Sequence, residues 1–250
     1  MQISVVIIAK DAEKFISACV SSVKTLSGDI VVVVDSRTTD ATARIAAELG
    51  SRVFFRDFDN FSAQKNFADS QAVNNWILSL DADESASPGL LSAIKGLPDK
   101  PLFQAYYLLR NNKIFGKYIL HSNWDPYGLI RIFDKQRCHW EGEIHEEIVV
   151  DGEAGRLYDC IYHDNYRTVV EFVTRQDYYS TLQANKLYSR NTPFSYFRFA
   201  VDPLIDFCRR FFLHAGFLDN LHGLFLSYLM VVYHLSVWIK LWQKYQKVSS

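Results

Sequence analysis

Asp81 and Asp83 stand one residue apart in Asp81-Ala82-Asp83-Glu84, directly after the apolar run Trp76-Ile77-Leu78-Ser79-Leu80. Carboxylates at the end of a buried strand are costly unless a cation or a hydrogen-bond network stabilises them. Mg²⁺ and Mn²⁺ take hard oxygen ligands and bridge protein carboxylates to phosphate oxygens, so the pair predicts a metal–diphosphate site. The alternative is a helix cap with solvated acids ahead of Ser85–Pro88.

A second cluster lies in Trp140-Glu141-Gly142-Glu143-Ile144-His145-Glu146-Glu147, where four acids and an imidazole fall within seven residues. Such a cluster is expensive unless it is exposed or functional. A carboxylate here can serve as general base toward a substrate hydroxyl. The candidates are Glu146, Glu143 and Asp125. Glu146 leads because it follows an apolar residue and an imidazole. His145 could orient that carboxylate or approach the metal. The spacing is not the H-E-x-x-H of a zinc protease. An exposed acidic turn is the competing reading.

Other residues suit a nucleotide and a sugar. Asp35, at the end of Ile30–Val34, can accept from a base N–H or a ribose hydroxyl, whereas Asp40 reads as a helix cap. Lys65, in Gln64-Lys65-Asn66 at a helix start, can reach a diphosphate as a point charge or remain solvated. His121 and Trp124-Asp125-Pro126-Tyr127 fall in a long loop whose aromatic faces suit sugar rings. An aromatic-anchored surface loop would look the same. His121, Trp124, Tyr127 and Trp140 are the acceptor candidates.

These residues must be positioned by alternating strands and helices. Strands are predicted at Ile3–Ala9, Ile30–Val34, Arg52–Phe55 and Trp76–Leu80. Helical spacing covers Ala12–Thr25, a segment capped at Thr39-Asp40 running to Ala47, and Ser62–Val73. Phe103–Arg110 and Leu129–Phe133 read as further strands, Asn111–Gly128 as loop, and the chain turns helical from Val170. The expected fold class is α/β, a mostly parallel sheet with helices on both faces, followed by a C-terminal helical segment. Ligands of such sheets bind beyond the carboxyl ends of the strands, where Asp11, Asp35, Asp81 and Asp83 would gather.

The chain of 250 residues is about half hydrophobic, which excludes wholesale disorder, and its net charge of −1 argues against nucleic acid as a partner. From Lys186 onward eight Lys/Arg face three Asp/Glu, a net of +5, while the rest carries −6. Cys19, Cys138, Cys160 and Cys208 are widely spaced and read as buried thiols in a reducing compartment. Met1-Gln2-Ile3-Ser4 enters a strand without a signal-peptide pattern. Leu224–Ile239 contains no Asp, Glu, Lys or Arg, yet is short and polar for a span. With Phe211, Phe212, Phe217, Trp238, Trp242 and the nearby basic residues, it reads as an interfacial helical anchor. A helical hairpin against the catalytic domain or a second subunit is the alternative.

The ordered motifs resemble family 2 glycosyltransferases of the GT-A, Rossmann-like fold. They are Ala9-Lys10-Asp11, Val33-Val34-Asp35-Ser36-Arg37-Thr38-Thr39-Asp40, Phe61-Ser62-Ala63-Gln64-Lys65-Asn66 and Trp76–Glu84. Trp140-x-Gly142-x-Ile144-His145-Glu146 and Gly216-Phe217-Leu218-Asp219-Asn220 are similar to motifs of bacterial lipopolysaccharide inner-core β-glucosyltransferases. Arg37 stands where a glycine is common, and Asn220 replaces the tail's usual glycine.

The resemblance implies that Ala9, Asp11 and Asp35 line a nucleotide pocket. Lys65 and Asp81 would contact the ribose-diphosphate, with Mg²⁺ or Mn²⁺ held by Asp83, Asp81 and His145. It implies an inverting transfer from a nucleoside-diphosphate sugar, UDP-linked, to a saccharide or lipid-linked acceptor in envelope polysaccharide or lipopolysaccharide-core synthesis. The implied organisation is a catalytic domain over 1–168, with a nucleotide-sugar half over about 1–100 and an acceptor half over about 101–168, then helices over 169–250. The implied location is cytoplasmic, peripheral to the inner face of the bacterial cytoplasmic membrane, with a homodimer as a further option.

Three other classes compete. A D-x-D phosphatase carries its motif on the first strand, with Thr or Val at the fifth position, whereas here it follows the fourth strand and the fifth residue is Ser85. A sugar nucleotidyltransferase needs a Gly-rich basic loop after strand one, and Lys10-Asp11-Ala12-Glu13 has no glycine. Intact Asp81, Asp83 and Glu146 count against a non-catalytic sugar-binding relative.

Overall fold

A computed structural model describes residues 1–124, 126–142 and 146–248. The chain forms two compact units, residues 1–111 with 127–163, and residues 112–126 with 164–250.

In the first unit, β1 (Ile3–Ala9), α1 (Ile16–Val23), β2 (Ile30–Asp35), α2 (Thr42–Glu48), β3 (Arg52–Arg56), α3 (Phe61–Gln71) and β4 (Trp76–Asp81) alternate. There follow β5 (Glu84–Ala86), α4 (Pro88–Lys95), β6 (Ala105–Ile114), β7 (Lys117–Tyr118), β8 (Tyr127–Asp134), β9 (Cys138–Glu141), β10 (Glu147–Val150) and β11 (Ala154–Tyr166), of which β7 and the last three residues of β6 and of β11 fall in the second unit. The main sheet runs β3-β2-β1-β4-β8-β6-β11-β5, and β9 and β10 make a separate antiparallel pair. Its first four strands are parallel. β8 then pairs antiparallel with both β4 and β6.

The apolar runs of β1 and β2 are buried on both faces, as strands covered by helices must be. α1 turns Ile16, Cys19, Val20 and Val23 onto one of those faces. α3 starts where the Asn60 side chain accepts from the Ala63 N–H, and α4 where Ser87 accepts from Leu90 ahead of Pro88. α2 begins at Thr42 rather than at the expected Thr39-Asp40 cap. Asp40 nevertheless accepts from the Thr42 N–H at 2.9 Å, so its carboxylate still serves that helix end.

Two expectations are corrected. Asn111–Gly128 is not all loop, because β6 continues to Ile114 and turns back through β7, with Lys113 opposite Tyr118. The cysteines are free, but Cys160 is half-buried and Cys208 exposed, since the turn of α6 carrying Cys208 leaves that face uncovered.

The second unit is helical, with α5 (Val169–Ser189), α6 (Tyr196–Cys208), a π-helical turn (Arg209–Leu213), a 3-10 turn (Gly216–Asp219) and α7 (Leu221–Val248). Thr168 and Ser195 cap α5 and α6. Ile114, Ile119, Tyr166, Phe172, Leu226 and Met230 form its core. Gly223 is required by close backbone approach, because a Cβ there would collide with the Gly216 carbonyl. Gly223→Ala is therefore expected to lower stability by about 1–3 kcal/mol. Thermal unfolding checks this, and an unchanged midpoint would show that the helix and turn can separate freely.

Candidate active site

α3 presents a polar face inward and grips β9 with it. Ser62 donates to the Gly142 carbonyl at 2.5 Å. The Asn66 amide donates to the Trp140 carbonyl at 2.8 Å and accepts its N–H at 2.9 Å. Asp69 accepts from the Trp140 indole at 3.0 Å. These residues are three or four apart, so they share one helix face. That same face carries Lys65.

Lys65 is almost fully buried, not solvated at a helix start. Its ammonium lies 3.2 Å from Asp81 Oδ1, 2.9 Å from Glu146 Oε1 and 4.4 Å from the centroid of the Trp140 ring. Two carboxylates and an aromatic face make its burial tolerable. Arg131, a cation inside the apolar strand β8, donates to Asp81 Oδ2 at 2.7 Å and to Glu84 Oε1 at 3.0 Å. Glu84 is buried, accepts from the Asp81 N–H at 2.9 Å, and has Arg110 Nε at 3.2 Å. Burial alone would raise Asp81, but Arg131, Lys65 and Arg110 outweigh it and hold the carboxyl well below the usual carboxylate range.

Asp83 leaves this network. Its Oδ2 lies 3.3 Å from His163 Nε2, and His163 Nδ1 lies 2.7 Å from Arg110 Nη2. Asp81, expected as a metal ligand, has Lys65 at its Oδ1 and Arg131 at its Oδ2. Among the described residues no three His, Cys, Asp or Glu side chains converge as a metal cage. Glu143, His145 and Asp125 lie outside the described residues.

Sheet register brings the nucleotide candidates to one strand edge. Ala9 sits opposite Val34, and Ile8 is opposite Asp81. Asp11, in a left-handed backbone conformation (φ 44°), accepts from the Thr39 N–H at 2.9 Å. Asp35 is buried and clamped by Arg37, Nε to Oδ1 at 3.0 Å and Nη2 to Oδ2 at 2.9 Å, with Lys10 at 3.4 Å. The Arg37 guanidinium holds the Asp35 carboxyl well below its ordinary value. The departure from glycine at this turn therefore has a consequence, which is that a side chain of the chain itself occupies both oxygens of Asp35.

A cavity of about 500 Å³ opens beside the carboxyl end of β4, lined among others by Lys65, Asp81, Arg131, Trp140, Glu146 and Tyr127. Asp11, Asp35 and Asp83 lie outside its lining. His121 and Trp124 belong to the second unit. The Asp219 carboxylate accepts the His121 N–H at 2.9 Å, and the Trp124 ring meets Tyr166 and Phe172 edge-on. Those contacts give both residues a packing role inside that unit.

Sequence reasoning missed Arg131, Arg110, Glu84, Asp69 and His163. A cation within the apolar run Leu129-Ile130-Arg131-Ile132-Phe133 was a signal for a buried counter-charge. Glu84 stood inside the quoted motif. His163 carried no local signal.

Residues 4–138 match the family described as glycosyl transferase family 2. The chain belongs to glycosyl transferase family 2. It is a glycosyltransferase, and its parallel half-sheet with antiparallel additions is the GT-A architecture. An uncharacterized glycosyltransferase of Rickettsia felis is 30% identical over 239 residues, covering 89% of this chain and 83% of that protein. The lipopolysaccharide core biosynthesis glycosyltransferase LpsC of Rhizobium meliloti is 23% identical over 264 residues, 98% of this chain and 93% of LpsC. Among solved structures, S. aureus TarS 1–349 in complex with UDP-GlcNAc is 14% identical, with a TM-score of 0.48 over 99% of this chain and 92% of that chain.

In this glycosyltransferase the Trp140 wall of the cavity rests on Asp69. Burial pushes the Asp69 carboxyl from 3.8 up to about 7, against the Trp140 hydrogen bond and the Lys65 and Lys135 charges. The folded chain therefore keeps a proton that the unfolded chain releases between those values, and stability falls as pH rises through that window. Asp69→Asn removes the titration and keeps an acceptor for the indole. It is expected to be more stable than wild type by about 1–3 kcal/mol at pH ~8, with the gap closing toward pH ~5. Denaturant unfolding at the two pH values checks this; a gap independent of pH would show that Asp69 does not titrate there.

Proposed function

We propose that the chain moves a sugar from a nucleoside-diphosphate sugar, UDP-linked, to a hydroxyl of a saccharide or lipid-linked acceptor, with inversion. The setting is envelope polysaccharide or lipopolysaccharide-core synthesis at the cytoplasmic face of a bacterial membrane. The observation that carries this reading is the convergence of Lys65, Asp81, Arg131, Trp140 and Glu146 on one cavity. A nucleotide-sugar donor brings two anionic phosphates and a sugar ring. Lys65 and Arg131 supply positive charge, Trp140 and Tyr127 supply aromatic faces, and Glu146 supplies a carboxylate. The similarity to LpsC, named for lipopolysaccharide core biosynthesis, supports the acceptor class.

Transfer is a single displacement. The acceptor oxygen bonds to the anomeric carbon as its proton passes to a carboxylate, and the bond to the diphosphate breaks with its electron pair on the phosphate oxygen. Glu146 is assigned as the base, with Glu143 and Asp125 as the other candidates. Lys65 holds the Glu146 carboxylate in place through Oε1. Ala9, Asp11 and Asp35 serve the nucleotide end, where Arg37 must yield if Asp35 is to accept from it.

The partly exposed Asp83 carboxylate would hold a divalent ion; His163 Nε2 lies 3.3 Å from it and 2.8 Å from Arg110 Nη2. A bound Mg²⁺ or Mn²⁺ would supply Lewis-acid stabilisation of the departing nucleoside diphosphate.

Two substitutions test the reading. Glu146→Gln is expected to keep nucleotide-sugar binding while transfer falls about 10²–10⁴-fold. Normal transfer by Glu146→Gln would move the base to Glu143 or Asp125. Asp83→Ala is expected to abolish Mn²⁺-dependent binding of UDP in calorimetry with the fold intact by circular dichroism. Unchanged binding would remove Asp83 from the metal.

A further inference from the structure

α7 packs one side against the second unit's core through Leu226, Met230, Val237, Trp238 and Leu241. Along another side, Leu221, Phe225, Tyr228, Val232, Ile239 and Trp242 are all exposed. They recur at spacings of four, three and seven, so they lie in one line along the helix. Residues 221–246 are long and apolar enough to cross a membrane by length and composition.

The line does not end with α7. The Tyr228 ring lies 5.0 Å from Phe207 of α6, Phe207 lies 5.6 Å from Phe211, and Phe211 lies 5.2 Å from Phe212. Phe211 also lies 6.3 Å from Phe217 in the 3-10 turn. Next to Phe212, Leu213 is 82% exposed. An apolar surface thus runs unbroken from α7 onto the π-helical and 3-10 turns. Continuous exposed apolar patches of this kind mark binding sites.

We propose that this face is a docking surface for a bilayer with anionic headgroups, with α7 lying along the membrane and not through it. Charge and geometry select this occupant. Between Tyr196 and Gln246 the exposed charges are Arg198 and Arg209, both cationic; Asp202, Lys240 and Lys244 are half-buried, and Asp206 and Asp219 are buried. Apolar surface with a basic rim is the chemistry of interfacial helices.

The other side of α7 is wet. Lys240 Nζ reaches the exposed Asp177 carboxylate of α5 at 2.6 Å and the Ser180 and Thr181 hydroxyls at 2.8 Å. His234 Nε2 lies 3.3 Å from Asp206, which Arg209 and Arg210 also hold. A helix flanked by a solvated ion pair does not sit in hydrocarbon.

A paired helix from a second copy fits less well. The positions flanking the line include Leu224, Leu229, Val231 and Ser236, without the charge pairs that set partner and register in coiled coils. The apolar surface also spreads well beyond one helix.

The test is co-sedimentation of the full chain with vesicles of phosphatidylethanolamine and phosphatidylglycerol, with phosphatidylcholine vesicles as control. Lipid binding is the readout, so the outcome does not depend on the transferase reading. Wild type is expected to bind the anionic vesicles. The double variant Leu213→Glu, Leu221→Glu is expected to bind about tenfold or more weakly, whereas Val170→Glu, at an equally exposed site on α5, binds as wild type. A second measurement needs no folded double variant, since Trp242 fluorescence in the wild type should be quenched by brominated lipid, a component lost in Trp242→Phe. Equal sedimentation of wild type and double variant, or no quenching of Trp242, overturns the proposal. So does a stable wild-type dimer in analytical ultracentrifugation that leaves vesicles in the supernatant.

Discussion

A buried ammonium with two carboxylates around it organises the first unit. Lys65 is carried on α3, Asp81 ends β4, and Glu146 precedes β10, so one charge ties together a helix, the parallel half of the sheet and the small hairpin. The ammonium is not tolerable alone at that depth, and both carboxylates stand half-buried beside it. A buried cation without its partners, or a carboxylate without its cation, carries a desolvation cost of several kcal/mol. The Trp140 ring at 4.4 Å closes the fourth side, so the ammonium is surrounded by negative charge and by the negative face of an indole.

The same principle repeats one layer further in. Arg131 joins Asp81 to Glu84, and Arg110 joins Glu84 to His163, which in turn faces Asp83. Charges alternate from Glu146 through Lys65, Asp81 and Arg131 to Glu84, so each of these three carboxylates meets a cation before any ligand arrives. The side chains are therefore held in place by one another, the condition for stabilising charge without reorganisation during reaction. Asp69 is the exception. Its Oδ1 is buried with no hydrogen-bond partner, and the carboxyl responds by favouring its protonated form.

The second unit handles charge differently. Asp206 gathers Arg209, Arg210 and His234, and Asp219 gathers backbone and side-chain donors of His121, so these two buried acids are consumed internally. The exposed charges of α6, the two turns and α7 are Arg198 and Arg209, set among exposed apolar side chains.

Local order determined a large part of this protein by itself. Continuous apolar runs separated by helical spacing marked the four parallel strands, because a strand covered on both faces has no position for polar residues. Their boundaries were legible to within one or two residues. The ordered motifs placed Asp11, Asp35, Lys65 and Asp81 at strand and helix ends, since such edges are the only part of a covered sheet open to ligands. Tertiary structure alone decided which charges meet. Lys65 and Glu146 are far apart in the chain, and neither spacing nor composition reveals that they share a contact. His163 joins Asp83 only because β11 runs antiparallel to β5, with His163 opposite Glu84. Trp124 and His121 had the composition of a sugar-binding loop, and only the tertiary structure shows that the Trp124 ring packs edge-on against Tyr166 and that the His121 N–H donates to Asp219. Pairings of this kind depend on long-range register, a property that residue type does not encode locally.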